Sequence, residues 1–198
     1  MMRIINSRLY QGLIPVTNYM ILAAFSMIGL VTVFLAYPIM SASVTTAIRI
    51  YGRGNEVITK KYWMELKRHF WAKFVVGLFV STSSILFYFI FTDTIKSVIM
   101  PIRVSLAVSL VLFVAFVFFM ILEEFSMRHN YQIKKFFSNA VLDLVTDFPY
   151  ALVFAFLVAI IVVLAMLIPL STYFTLLFLN LIIAAMYHHG LQNKLSRF

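Results

Sequence analysis

The sequence predicts an all-α membrane bundle: a polytopic fold of five transmembrane helices plus two interfacial amphipathic helices. Three observations predict it. Hydrophobic residues fill 63% of the 198 positions and charged residues 12%, against roughly 45–50% and 25% in soluble domains. A soluble domain of this length has too much surface for its volume to hide so much apolar side chain. Five apolar stretches approach the length of about 20 residues that a bilayer crossing needs. All seven Asp and Glu and all sixteen Lys and Arg fall between those stretches or at their edges, where they escape the cost of about 2.5–3.5 kcal/mol for a charge at mid-membrane. The same composition excludes disorder, collagen and coiled coil. No cysteine is present, so disulfide and thiol chemistry are excluded as well.

The whole chain, 1–198, reads as one membrane domain. The first expected span covers 16–37 and carries no charge. The second, 74–92, begins just after Lys73 and ends at Asp93; the third, 104–122, lies between Arg103 and Glu123. The fourth and fifth, 151–168 and 172–188, are separated by little more than Pro169, which breaks the helix and makes a tight hairpin. Ser41-Ala42-Ser43 has the small residues of a signal-peptide cleavage site. The apolar run before it is too long for such a peptide, so no cleavage is expected. No internal repeat and no inverted pair of broken segments is visible.

Of the sixteen basic residues, twelve lie in the first loop, the third loop and the tail. Four lie in the N-terminal segment (Arg3, Arg8) and the second loop (Lys96, Arg103). With five spans, this bias predicts a multi-pass cell-membrane protein with its N-terminus outside and its C-terminus in the cytoplasm. The net charge of +9 is then a property of the cytoplasmic membrane face, and no nucleic-acid partner is expected.

Two loop segments have helical amphipathicity. In 57–73, Trp63, Leu66 and Phe70 continue to Phe74 in steps of three, four and four, with Lys61, Glu65 and Arg68 opposite. Lys60 and Lys67 flank the stripe, where their stems can lie on lipid while the amines reach phosphate. Trp63, Leu66, Lys67 and Phe70 are therefore the candidates for interfacial docking, onto lipid or onto a partner. In 134–148, Phe137, Val141, Leu144 and Phe148 align, Asn139, Asp143 and Thr146 lie opposite, and Pro149 marks the end.

Catalysis needs convergent acids, bases, nucleophiles or metal ligands. No H-E-x-x-H, no paired carboxylates within a span and no glycine-rich phosphate loop occurs. Adjacent His188 and His189 point about 100° apart on a helix and make a poor chelate. They read as an interfacial pair reaching water, and Glu123-Glu124 as acids at a span's edge. No catalytic residue, cofactor or metal site is expected, and no ionisable group at depth of the kind ion-coupled transport uses. The spans do carry small and hydroxyl faces. Gly77, Ser81, Ser84 and Tyr88 lie on one side of the second span, and Tyr173, Asn180, Ala184 and Tyr187 on one side of the fifth. Ser41, Ser43, Thr45 and Thr46 follow Pro38. Such faces serve helix packing, or form a polar lining for a substrate or a partner helix.

Two stretches carry a family resemblance. Tyr37-Pro38-Ile39-Met40-Ser41-Ala42-Ser43-Val44-Thr45-Thr46-Ala47-Ile48 is similar to a stretch of the form LPIVTIGPATAAL. Pro38, Ile39, Thr46 and Ala47 fit, Ser41 and Ser43 stand where Thr and Gly are usual, and Val44 replaces a second proline. Tyr62-Trp63-Met64-Glu65-Leu66-Lys67-Arg68-His69-Phe70-Trp71-Ala72-Lys73 is similar to FFRAFKENFKQA, with Lys67 and Phe70 matching outright. In these segments and in layout the chain resembles the YesL-like family, five-helix membrane proteins of Gram-positive bacteria with no established activity. The resemblance implies a setting of carbohydrate uptake, beside ABC importers, sensor kinases and glycan-degrading enzymes.

The expected function is that of a non-enzymatic accessory subunit in the lipid bilayer. It would bind another membrane protein, the permease of a saccharide ABC importer or a sensor kinase. The alternative is a small permease or channel for a neutral solute, alone or as a homo-oligomer.

Overall fold

The computed structural model describes residues 8–51, 58–97, 100–126, 132–168 and 171–191. Arg3, Arg53, Glu56, Arg128, His129, Pro169, Lys194 and Arg197 lie outside them. The regular structure among the described residues is helical: α1 (Arg8–Val31), a 3-10 turn (Val33–Leu35), α2 (Ala36–Ile50), α3 (Ile58–Lys67), α4 (Phe70–Ser97), α5 (Met100–Ser126), α6 (Ile133–Thr146), α7 (Phe148–Leu167) and α8 (Ser171–Met186), with a π-helical turn at Tyr187–Leu191. Val33–Ile50, Phe70–Ile90, Pro101–Ser126 and Ser171–His189 are long and apolar enough to cross a membrane. A fifth crossing is available if α6 and α7, bent by 93° to one another, count as one. The expected spans at 74–92, 104–122, 151–168 and 172–188 fall on α4, α5, α7 and α8.

The expected span at 16–37 is not one helix. Residues 9–48 carry no charge. As a single helix these forty residues would run about 60 Å, twice the hydrocarbon thickness of roughly 30 Å, so the chain folds back. It does so at Thr32, whose amide and hydroxyl both turn onto the carbonyl oxygens of Ile28 and Gly29, the kind of local hydrogen bonding that ends helices. After the 3-10 turn α2 runs antiparallel to α1. Gly29 sits against Ile39, where a Cβ would fall 2.7 Å from the Ile39 Cγ2. Further along, the Ser43 hydroxyl donates to the Leu22 carbonyl at 3.3 Å. The Arg8 end of α1 and the Arg49 end of α2 therefore share one end of the bundle.

The stretch expected to follow the first span thus becomes the central helix. Residues 41–48 of α2 are all buried, and α2 touches α1, α3, α4, α5 and α8. Pro38 stands in its first turn, where a missing N–H breaks no helical bond. Gly77 of α4 packs against this turn; a Cβ there would lie 3.1 Å from the Pro38 Cδ and 3.2 Å from the Phe34 carbonyl oxygen. Gly77→Val should lower stability by about 1–3 kcal/mol, the usual cost of overpacking. Unfolding in mixed micelles measures it, with Leu78→Val on the exposed side as control. Equal stability of the two variants would show that α2 and α4 are not close-packed.

The expected interfacial helix at 57–73 is also interrupted. α3 ends at Lys67, His69 takes a left-handed φ of 49°, and α4 begins at Phe70. Such a φ is uncommon away from glycine. It turns the chain so that Trp63 and Leu66 belong to one helix, and Phe70 and Phe74 to the next. The expected helix at 134–148 matches α6, which ends where Pro149 opens α7.

One end of the bundle is tightly packed and the other is open. The α1–α2 turn reaches only to Ser81, whose hydroxyl donates to the Val33 carbonyl at 2.8 Å. That is the twelfth residue of the 28 in α4. Beyond it, the main neighbour of α4 is α5. These two helices meet at Phe87 and Phe113, with ring centroids 5.3 Å apart. The first half of α5, through Leu112, is largely exposed, whereas Ala115 to Glu124 is largely buried.

Candidate functional site

The packed end holds a belt of charged side chains turned inward. Lys73, in the first turn of α4, is its centre. Its Nζ lies 2.6 Å from Glu124 Oε1 and donates to the Glu65 carbonyl oxygen at 2.6 Å. The first contact joins α4 to α5. The second ties α4 to the C-terminal turn of α3. The other carboxylate oxygen of Glu124 accepts from Ser41 Oγ of α2. The side chains of Lys73 and Glu124 are 1% and 3% exposed, so both charges are compensated inside protein.

Glu65 carries the belt outward. Its carboxylate pairs with Arg49 of α2 and with Arg68 at 3.3 Å, and the Arg49 guanidinium lies over the Phe125 ring at 5.6 Å. Tyr62, one turn before Glu65, stacks on Phe25 at 4.2 Å. Burial pushes its phenol up to about 12, so it stays neutral at physiological pH. Glu123 faces the other way, toward Asp143 of α6, and Glu123 Oε2 and Asp143 Oδ2 are both buried without a hydrogen-bond partner. Asp147, at the α6–α7 bend, is buried beside Asp143.

These positions correct several expectations. Glu65, Asp143 and Lys73 were assigned to solvated faces or edges, and Glu123-Glu124 to the water boundary; all five are buried. The physical reason is that each short helix packs a mixed face on the protein, with its carboxylate among apolar neighbours, and leaves Lys60, Lys67, Lys134 and Lys135 exposed together with apolar side chains. Ile58, Tyr62 and Glu65 of α3 are buried while Trp63 is 49% exposed. In α6, Phe136, Ala140 and Asp143 face inward and Val141 and Val145 outward. His188 is not simply directed to water either. Its Nε2–H donates to the Ile48 carbonyl at 2.8 Å and its ring stacks on Tyr51, while His189 is exposed.

The expected packing residues divide in two. Pro38, Ser41, Ser43, Thr46, Gly77, Ser81, Asn180 and Ala184 are buried in helix contacts. Ser84 is exposed, its hydroxyl turned back to the Val80 carbonyl, so the small face of α4 packs over Gly77 and Ser81 and not over its full length. Tyr173 of α8 donates to the Met20 carbonyl at 2.9 Å, joining α8 to α1. Of the docking candidates, Trp63 and Lys67 are exposed, and Leu66 and Phe70 are half-buried. Trp71, passed over in the sequence, is the most outward aromatic of the elbow at 76% exposure.

Chemically, the belt is a set of matched charges that ties α2, α3, α4 and α5 together. The Ser41 hydroxyl is fully buried and its proton is committed to Glu124, so no substrate reaches it in this conformation. Among the described residues no three His, Asp or Glu are grouped to hold a metal ion. α2 and the α3–α4 elbow meet at the Arg49–Glu65 pair. No family model, curated protein or solved structure matches the chain.

Proposed function

We propose that this chain is a non-enzymatic, multi-pass membrane accessory protein that binds another membrane protein, as a YesL-like protein would beside the permease of a saccharide ABC importer or a sensor kinase. The observation that carries the reading is the contrast between the two ends of the bundle. The belt gives a rigid base, and from it α4 and α5 extend apolar faces with little protein cover: Leu86, Phe89 and Ile90 on one, Val104, Val108 and Val111 on the other. Paired apolar helices on a rigid base are suited to receive the spans of a partner by van der Waals packing. A photocrosslinker at Phe89 or Val108 should give, in cells, an adduct of fixed larger mass containing one membrane protein. Adducts with a second copy alone would overturn this reading and favour the homo-oligomeric permease. A polar interior supports that alternative: the Asn180 amide and the Ser26 and Thr46 hydroxyls are buried without a hydrogen-bond partner.

In this reading α4, α5, α7 and α8 cross the membrane, and α3 and α6 lie along its cytoplasmic face with Trp63, Trp71 and Val145 toward lipid. The expected outside location of the N-terminus depended on a single first crossing. The α1–α2 hairpin instead supports placing the N-terminal segment on the side of the first loop. Arg3 and Arg8 then join the twelve basic residues of the first loop, third loop and tail, leaving Lys96 and Arg103 opposite. The basic bias thereby strengthens, and both termini fall in the cytoplasm. Reporters active only in the cytoplasm should give signal when fused to either end; a silent N-terminal fusion beside an active C-terminal one would restore the outside N-terminus.

A further inference from the structure

Three carboxyl groups meet where α6 packs on α5 and bends into α7: Glu123 of α5, Asp143 of α6 and Asp147 at the bend. They are 3%, 5% and 4% exposed. The other buried acids at this end each meet a cation: Glu124 takes Lys73, and Glu65 takes Arg49 and Arg68. Glu123 and Asp143 face each other instead. Glu123 Oε2 and Asp143 Oδ2 are buried without a hydrogen-bond partner.

An ionised carboxylate is an acceptor only, so two of them turned together form no bond and repel. Holding both charges out of water costs several kcal/mol each unless something positive stands with them. The basic side chain that acts on Glu123 from α6 is Lys135, and it is exposed. Lys73 of α4 and Arg49 of α2 are committed to other carboxylates, and α7 has Tyr150 as its one titratable residue. A metal ion asks for more than the pair offers, since Mg²⁺ takes about six ligands and Ca²⁺ roughly six to eight oxygens. A proton needs only the two facing oxygens. A polar route to them exists. Lys135, Asn139 and Asp143 follow in steps of four on one face of α6, and they pass from exposed through half-buried to buried.

We infer that Glu123 and Asp143 form a buried proton-binding site, in which one proton, taken up from water along the Lys135–Asn139 stripe, joins the two carboxyls and holds α6 onto α5. With the proton in place one carboxyl donates to the other and the pair carries a single negative charge. Without it the pair carries two, beside Asp147, and α6 is pushed away from α5. Burial pushes the Asp143 carboxyl up, which sets the sign: attachment is complete at low pH and weakens as pH rises through the titration of the pair. The site rests on the packing of α6 against α5 and is independent of the partner-binding role.

The test uses the full chain in maltoside micelles, which have no carbonyl group of their own. Infrared spectra at neutral pH should contain a deuterium-sensitive carboxylic acid C=O band that Glu123→Gln removes. Hydrogen exchange, corrected for the intrinsic rate, reads the consequence. One proton shifts an equilibrium by at most about tenfold per pH unit. Between about pH 6 and about pH 9 the amides of α6, 133–146, should lose about tenfold in protection. Those of α3, 58–67, whose carboxylate is met by two arginines, should lose none. In Glu123→Gln, whose amide is a donor without charge, α6 should keep its protection at the higher pH, and Asp143→Asn should behave alike. The infrared band and the exchange of the parent chain decide the question even if neither variant folds. Absence of the acid band would show both carboxyls ionised and overturn the site. A band with pH-independent protection of α6 would overturn the hold on α6, as would an equal loss in α3. Protection restored at high pH by added Ca²⁺ or Mg²⁺ would place a metal ion between the carboxylates and overturn the proton.

Discussion

Replacing Lys73 with methionine should destabilise the protein by about 3–5 kcal/mol, the usual cost of breaking a buried ion pair from one side. Methionine keeps most of the stem but strands the Glu124 carboxylate, 3% exposed, with only the Ser41 hydroxyl. It also removes the donor on the Glu65 carbonyl. Unfolding in mixed micelles, followed by circular dichroism, measures the loss. The double variant Lys73→Met/Glu124→Leu should recover a large part of it, because an apolar pair of similar volume needs no compensation. If Lys73→Met alone is as stable as the parent, the amine reaches water and the pair is not buried.

Glu65→Leu should cost about 3 kcal/mol, less than the lysine variant. Arg68 is one-third exposed and can turn to solvent, whereas Arg49 has a side-chain exposure of 15% and stays within protein, over the Phe125 ring. The loss should be local. Hydrogen exchange of the α3 amides 58–67 should quicken, because α3 is held to α2 through this carboxylate, while the amides of α5 from Ala115 to Leu122 should be unaffected. Equal acceleration in both helices would mean that the belt unfolds as one unit. Unchanged exchange in α3 would show that Ile58 and Tyr62 hold that helix unaided.

The helices were legible in the sequence to different degrees. α4, α5, α7 and α8 could be read because a helix surrounded by apolar contacts needs little beyond length and hydropathy to be recognised. The break at Thr32 was not, because nothing in Val31-Thr32-Val33 resembles a helix stop. The signal that could have revealed it was the forty-residue span without charge, too long for one crossing. The charge belt was hidden for a different reason. Charges at the edge of an apolar run look solvated in one dimension, and only the packing of α2 between α4 and α5 shows that Lys73 and Glu124 face each other. Glu65 was hidden in the same way: it lies inside because Arg49 and Arg68 meet its carboxylate there. Gly77, Ser81, Asn180 and Ala184 were readable as packing residues because small side chains allow close approach in any solvent; Ser84, at the same spacing, lies just past the end of that contact.

The Lys73–Glu124 pair also bears on how the protein is made. The two residues are 51 positions apart, and a chain emerges from the ribosome at about 5–20 residues per second, so roughly 3–10 s separate their synthesis. During that interval α4 has a lysine near its leading end and no counterion. Until α5 is made, that ammonium lacks the carboxylate of Glu124 that it meets in the folded bundle. Ser41, made earlier still, waits for the same carboxylate. Biogenesis of this bundle therefore has an order, in which α5, the last helix of the charge belt to be synthesised, locks α2, α3 and α4 into one assembly.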